Sequence, residues 1–164
     1  MKAYLANGLF SEADRMYNAY LAKLLRTEFK DLDLFVPQEQ GINDKSSYAD
    51  SKMIAKLDFD NLLDSDFLIA VIDGVEIDAG VAVEIGAFYG TRKPIIGLYT
   101  DMRQQGRNNQ KKIDALIEDG TENQFMYRNL MAVGAIKLRG VVVDNTDSML
   151  NWSKRIIEGT ISLQ

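Results

Sequence analysis

Glu84 is the single charged side chain in an otherwise small and apolar segment, residues 79–90. Such surroundings remove water from a carboxylate, which costs on the order of several kcal/mol unless a partner or a raised pKa compensates. A carboxylate of this kind acts either as a structural hydrogen-bond acceptor or as a positioned nucleophile or base. The three glycines of this segment weaken a helix, which indicates that another element packs closely against it. Glu84 is therefore the first candidate for chemistry, with a structural role as the alternative.

Two further acids could act together with Glu84. Asp78 lies where the N-cap of a helix belongs, and that position alone would explain an aspartate there. Asp58 lies among apolar residues of the preceding predicted helix, although an isolated acid on a helix is more often solvated. If the three acids share one pocket, one can attack a substrate while a second, still protonated, donates a proton.

The composition narrows the chemistry further. The chain has 164 residues with no Cys and no His. Disulfides, thiolate catalysis, cysteine-bound metal sites, Ser–His triads and nearly all transition-metal sites are excluded. Any catalysis would fall to carboxylates, Tyr, Lys or backbone dipoles. The net charge of −5 argues against a nucleic-acid polymer as partner and favours a small, neutral or weakly charged ligand.

A phospho-receiver domain is a second possibility that the sequence raises. Asp73, Thr100 and Lys137 fall near the ends of three predicted strands, where receiver domains carry their working residues. A receiver also needs acids after its first strand to hold Mg²⁺, and this chain has Asn7 and Gly8 there. Glycine-rich dinucleotide and triphosphate motifs do not occur in the sequence. A receiver role is therefore the weaker interpretation.

Strands and helices alternate along the chain. Apolar runs predict strands at residues 2–6, 32–36, 67–72, 94–99 and either 136–138 or 141–143. Helical periodicity predicts helices at residues 11–29, 48–63, 79–91, 111–117 and 147–161, with polar loop sequence at 38–47 and a long polar segment at 100–128. This order predicts one α/β domain over residues 1–164, a flavodoxin-like three-layer sandwich with a five-stranded parallel sheet. Its ligand would bind beyond the carboxyl ends of the strands.

Several separated motifs, in a consistent order, resemble the nucleoside 2-deoxyribosyltransferase family. The motifs are Tyr4 with residues 7–10, residues 35–37, Asp58 with residues 65–66, residues 78–86, and residues 129–131. The resemblance implies a flavodoxin-type domain that assembles as a dimer or hexamer. The segment at residues 100–128 is longer than in compact members of the family.

The resemblance implies catalytic roles for three of these residues. Glu84 matches the nucleophile that attacks the anomeric carbon of a 2′-deoxynucleoside, and Tyr4 matches the tyrosine that holds this carboxylate. Asp58 matches an acid that protonates the departing base. These roles agree with a reaction through an oxocarbenium-like state and a covalent glycosyl intermediate.

The resemblance also implies a set of substrate-binding residues. A glutamine after the second strand would contact the base, with Gln40 as the better match and Gln38 as the alternative. Asn129 and Met131 would reach the sugar from a neighbouring subunit. The remaining positions are Asp78, which would bind sugar hydroxyls, and Asn7 and Gly8 after the first strand.

The expected activity is transfer of a 2-deoxyribosyl group between nucleobases, without a cofactor or metal. The partners would be a 2′-deoxynucleoside, a free nucleobase and further copies of the chain. Two alternatives remain: an N-glycosidase that hydrolyses 2′-deoxynucleosides or their 5′-monophosphates, and a non-catalytic nucleoside or nucleotide sensor. The start of the sequence lacks the apolar core of a secretory signal, and no run of about 20 apolar residues occurs. A cytoplasmic location without membrane contact is expected.

Overall fold

Five short apolar runs form one parallel sheet. They are β1 (Lys2–Ala6), β2 (Asp33–Phe35), β3 (Phe67–Val71), β4 (Ile95–Leu98) and β5 (Gly140–Val143). In the computed structural model, which describes residues 1–43, 46, 48–125 and 127–161, these strands lie in the order β2-β1-β3-β4-β5. All four strand pairs are parallel. The predicted flavodoxin-like sheet is confirmed.

Short polar side chains start the helices that connect the strands. The α-helices in the described part of the chain are α1 (Glu12–Glu28), α2 (Ser51–Asp64), α3 (Ala79–Tyr89), α4 (Gln110–Glu118), α5 (Leu130–Lys137) and α6 (Thr146–Ile157). In each, the residue before the first turn is Ser, Asp or Asn, and its side chain accepts a backbone N–H. These bonds satisfy donors that the helix itself leaves unpaired. None of the described helices is long and apolar enough to cross a membrane.

The alternation of β1 decides which side chains face which helices. Ala3 and Leu5 pack in the core beneath α1 and α6, whereas Tyr4 and Ala6 pack in the core beneath α2, α3 and α5. Successive side chains of a strand point to opposite faces of the sheet. Tyr4 is therefore directed toward the face on which α3 carries Glu84.

The last strand resolves the choice between two predicted runs. Residues 136–138 are not a strand, because Ile136 and Lys137 end α5 and Leu138 is its C-cap. Residues 141–143 belong to β5. The periodicity of α5 is weak because Gly and Ala alternate with apolar residues, so both of its sides are apolar. Lys137 consequently does not end a strand, and the receiver interpretation is wrong.

Several predicted boundaries also shift. The loop expected at 38–47 contains two short 3₁₀ turns, Pro37–Glu39 and Gly41–Asn43, and Asp44, Lys45 and Ser47 lie outside the described residues. The helix expected from residue 48 begins at Ser51, because Asp50 caps it. The closing helix ends at Ile157 rather than at residue 161.

Candidate active site

Tyr4 and Glu84 form the central contact of the site. The Tyr4 hydroxyl donates a hydrogen bond of 2.6 Å to Oε1 of Glu84. Tyr4 is fully buried in the middle of β1, and its ring stacks on Phe35 with the centroids 5.2 Å apart. Because strand and stacking fix the ring, the hydroxyl has one available direction. The carboxylate is thus held by a rigid donor, while its side chain stays partly exposed.

Burial changes the ionisation of both groups. It raises the pKa of Glu84 to about 7, an effect that the Tyr4 hydrogen bond opposes and that the charges of Asp58 and Asp78 reinforce. Burial and the charge of Glu84 raise the pKa of Tyr4 far above its ordinary value. Tyr4 therefore remains a hydrogen-bond donor, while Glu84 changes between acid and carboxylate near neutral pH.

Two of the acids named from the sequence, Asp58 and Asp78, act electrostatically on the third, Glu84. Asp58, from α2, raises the pKa of both Tyr4 and Glu84. Asp78 precedes α3, and its Oδ1 accepts the backbone N–H groups of Gly80 and Val81 at 2.9 and 3.2 Å. Asp78 therefore has a capping role in addition to any contact with a ligand. Both acids thus lie close enough to Glu84 to affect its ionisation, and their convergence on one ligand pocket stays a prediction.

The loops after β1 and β2 are joined by a buried asparagine that sequence reasoning missed. The Asn18 side chain accepts from Asn7 at 2.8 Å and donates to the Gly8 carbonyl at 2.9 Å and to Gln38 at 3.0 Å. Asn18 is 3% exposed. Asn18 lies on the same face of α1 as Leu21, Ala22 and Leu25, which are all apolar. A polar residue at this position of an apolar face is the sequence signal that could have identified it.

The same contacts separate the two candidate glutamines. The Gln38 amide accepts from Asn18 and donates to the Arg15 carbonyl at 3.0 Å, so both of its ends are engaged by α1. The Gln40 amide donates to the Val36 carbonyl at 3.3 Å, at the longer end of hydrogen-bond distances. Gln40 is the more available of the two for contact with a ligand.

Asn129 and Met131 lie on the other flank of α3. They line a cavity of about 420 Å³ between α3 and α5, together with Ala82 and Gly86. Glu84 is two residues from each of those α3 positions, which places it roughly half a turn away. Asn129 also caps α5 through the N–H groups of Met131 and Ala132. Within one chain, Asn129 and Met131 are not brought to Glu84.

Two further polar residues at the carboxyl end of the sheet have structural partners. Asp73 accepts from the Thr100 backbone N–H and hydroxyl, both at 2.6 Å, and from the Asp101 N–H at 3.1 Å. Arg128, which the sequence did not single out, is 8% exposed and contacts the loop after β3. Among the described residues, no group of three or more acids is arranged to hold a metal ion.

Fold and site together define an α/β domain of flavodoxin-like topology with a tyrosine-held carboxylate between β1 and α3. The model of the nucleoside 2-deoxyribosyltransferase family matches residues 3–152. The chain belongs to this family. A search of curated proteins found no match.

Solved structures show the same architecture. A conserved protein from Enterococcus faecalis V583 is 53% identical, with a TM-score of 0.88, over 94% of this chain and 98% of that one. A 2-deoxyribosyltransferase from Bacillus psychrosaccharolyticus is 19% identical (TM-score 0.65; 93% of this chain, 92% of that one). A 2-desoxiribosyltransferase from Leishmania mexicana is 20% identical (TM-score 0.61; 95% and 97%). At this identity, the latter two establish a shared fold.

Two substitutions of residues that act on Glu84 should move its pKa in opposite directions. Tyr4→Phe removes the hydrogen bond that stabilises the carboxylate, so the pKa of Glu84 should rise above its value of about 7. Asp58→Asn removes a nearby negative charge, so the same pKa should fall. Side-chain carboxyl ¹³C NMR across a pH titration measures both shifts. Two shifts of the same sign would contradict this account of the site.

The stability of the fold should depend on the charge of Glu84. Its pKa of about 7 in the folded chain lies above its ordinary value of 4.5, so the native state binds this proton more tightly than the unfolded state does. Stability is therefore lost as pH rises through this window, by up to about 3 kcal/mol for this group. Glu84→Gln should remove that loss, because glutamine does not ionise. In urea unfolding, the free energy of unfolding of the variant minus that of wild type should therefore be more positive at pH 8 than at pH 4.

The control for this measurement is Glu122→Gln, which changes an exposed glutamate. Its stability relative to wild type should be nearly the same at both pH values. An equal pH dependence in the two variants would contradict a desolvated Glu84.

Proposed function

We propose that this chain transfers a 2-deoxyribosyl group between nucleobases through a covalent intermediate on Glu84. The observation that carries the proposal is the 2.6 Å hydrogen bond from the fully buried Tyr4 to a partly exposed, desolvated Glu84. A weakly hydrated carboxylate in a fixed orientation is a suitable nucleophile for an anomeric carbon. Membership of the nucleoside 2-deoxyribosyltransferase family supports the choice of substrate.

In the first half of the reaction, the bond between C1′ and the base nitrogen breaks. The ionised Oε of Glu84 forms a bond to C1′ from the opposite face, and the electron pair of the broken bond goes to the base. The two coupled acids share one proton, which lies on Asp58 while Glu84 is ionised, and Asp58 gives this proton to the departing base, which leaves neutral. Tyr4 keeps its proton throughout, because its raised pKa prevents ionisation. It thereby orients the attacking carboxylate.

In the second half, a free base replaces the first. Its ring nitrogen attacks C1′, the ester bond to Glu84 breaks, and Asp58 accepts the proton that the base loses. Two displacements at C1′ return the original configuration. Exclusion of water from the intermediate determines whether the sugar passes to a base or to water.

Contacts at the start of α1 favour unphosphorylated donors. A helix N-terminus is the usual binding position for a phosphate. Here Asp14 occupies it: its carboxylate accepts from the Ser11 hydroxyl and N–H, and its own N–H donates to Ser11. A phosphate placed there would meet this negative charge. We therefore propose nucleosides rather than 5′-monophosphates as substrates.

We further propose that a second subunit completes the site. Several apolar side chains around the α3–α5 cavity are exposed: Val75, Val83, Tyr127, Leu130 and Met131, the last with 87% of its surface accessible. Val75, Tyr127 and Met131 line the cavity itself, and exposed apolar surface gathered around a cavity is typical of an interface between proteins. With the patches of two copies in contact, Asn129 and Met131 of one could approach the Glu84 pocket of the other.

Base exchange tests the proposed reaction. Incubation with deoxyinosine and adenine should yield deoxyadenosine and hypoxanthine by liquid chromatography, and Glu84→Ala should abolish the exchange. Because the carboxylate must be ionised to attack, kcat/KM should fall as pH drops below about 7. Intact mass spectrometry after mixing with a deoxynucleoside should show one added deoxyribosyl group, absent in Glu84→Gln.

Other products would identify other activities. Release of free 2-deoxyribose in step with the base, without exchange, would indicate a hydrolase. Saturable nucleoside binding without turnover would indicate a sensor. A deoxynucleoside 5′-monophosphate that is a better donor than its nucleoside would contradict the role of Asp14.

Complementation between inactive subunits tests the shared site. Glu84→Ala and Asn129→Ala should each lose most of their activity when purified alone. Coexpressed as mixed oligomers, they should recover part of it, because some sites then combine an intact Glu84 with an intact Asn129 from the partner. Failure to recover activity, or a monomer by light scattering, would overturn the shared site.

A further inference from the structure

We propose that Arg128 is the positioning residue that fixes the loop between β3 and α3 against the start of α5, and so sets the place of Asp78 in the substrate pocket. This inference rests on the proposed function. Arg128 adjoins Asn129, so one side chain connects the two segments that carry substrate-binding candidates.

The contacts of Arg128 with the β3–α3 loop are direct. Its Nη2 donates to the Gly74 carbonyl at 2.6 Å, and its Nη1 donates to the Val75 carbonyl at 3.2 Å and to the Tyr127 carbonyl at 2.8 Å. Gly74 has a φ of +95°, a backbone conformation that an L side chain rarely adopts. The guanidinium therefore fixes the backbone of Gly74 and Val75, directly after Asp73, which Thr100 and Asp101 hold in turn.

Tyr99 and Asp101 hold the Arg128 guanidinium in place. It lies over the Tyr99 ring, 4.3 Å from the centroid, and 3.7 Å from the Asp101 carboxylate. Hydrogen bonds from Arg103 lower the pKa of Asp101 to about 2, so this partner is charged at physiological pH. Asp101 and Thr100 in turn donate to Asp73, which lies two residues after the end of β3.

A guanidinium suits this position better than an ammonium would. It is planar, stacks on an aromatic ring and presents several N–H donors in a fixed fork, whereas a lysine offers a single point charge. One lysine nitrogen could not serve the carbonyls of Gly74, Val75 and Tyr127 with the same geometry. Arg128 also lines the α3–α5 cavity, so truncating it leaves a space that a small ion can enter.

The consequence for the reaction is a selective effect on substrate binding. Arg128 contacts neither Tyr4 nor Glu84 in the interactions described, so the nucleophile should keep its pKa when Arg128 is replaced. Asp78 lies four residues after Gly74 and caps the start of α3. Displacement of the loop should move Asp78 away from the sugar hydroxyls while the Tyr4–Glu84 pair remains formed.

The experiment compares Arg128→Ala, Arg128→Lys and wild type in the base-exchange assay. Arg128→Ala should raise KM for the deoxynucleoside by about tenfold or more, as expected for lost hydrogen bonds from a charged group, with a much smaller change in kcat. The acidic limb of kcat/KM should remain near pH 7. Guanidinium chloride at millimolar concentration should restore KM, whereas sodium chloride at equal ionic strength should not. Arg128→Lys should be intermediate.

The matched control is Arg139→Ala. Arg139 also stacks on a tyrosine, Tyr89, at 4.5 Å and donates to the Tyr89 carbonyl, but it has no contact with the β3–α3 loop among its described bonds. This variant should retain the wild-type KM. Amide hydrogen exchange supplies a readout that needs no activity: residues 74–81 and 127–132 should exchange faster in Arg128→Ala and not in Arg139→Ala.

The two proposals fail in different ways. Absence of base exchange in the wild-type protein would overturn the proposed function, and hydrogen exchange would then still decide whether Arg128 fixes the loop. An active wild type with unchanged KM and unchanged exchange in Arg128→Ala would overturn the positioning role. So would a loss of structure throughout the molecule in both Arg128 variants without rescue by guanidinium.

Discussion

The proposed chemistry of this protein depends on a carboxylate that has lost much of its water. Burial raises the pKa of Glu84 to about 7, and the Tyr4 hydroxyl limits that rise by donating a hydrogen bond. If burial acted alone, the group would stay protonated and could not attack. If the hydrogen bond acted in open solvent, the carboxylate would be hydrated and poorly directed. The balance of the two produces an acid that ionises near neutral pH in one orientation.

The sheet makes this balance possible through strand order and alternation. β1 lies inside the sheet, between β2 and β3, with helices on both faces, so Tyr4 is excluded from water. Two acids on the Tyr4 face of the sheet raise the pKa of Glu84. Asp58 lies on α2 and Asp78 caps the start of α3, and Asp58 also raises the pKa of Tyr4. A residue at the same place on an edge strand would be more exposed to solvent, and its hydrogen bond would contribute less.

Sequence patterns predicted the fold and the acidic residues better than they predicted the polar contacts. The apolar runs of β1, β3 and β4 and the lone charge at Glu84 are local features, readable from neighbouring residues. α5 was missed because its composition is apolar on both sides, and the role of Asn18 depends on loops that meet only in the folded chain. Arg128 gave no local signal, since its two carbonyl partners in the β3–α3 loop lie 53 and 54 residues away. The separation of Asn129 from Glu84 could be seen only with α3 in place.

The bond between Tyr4 and Glu84 joins residues 80 positions apart. In the unfolded chain they are an ordinary phenol and an ordinary carboxylic acid, because neither is buried. A chain emerging from the ribosome therefore forms this pair only after α3 has been synthesised and has packed against the sheet. The raised pKa of Glu84 is thus a property of the native topology, and partly synthesised or misfolded chains carry a glutamate of ordinary acidity.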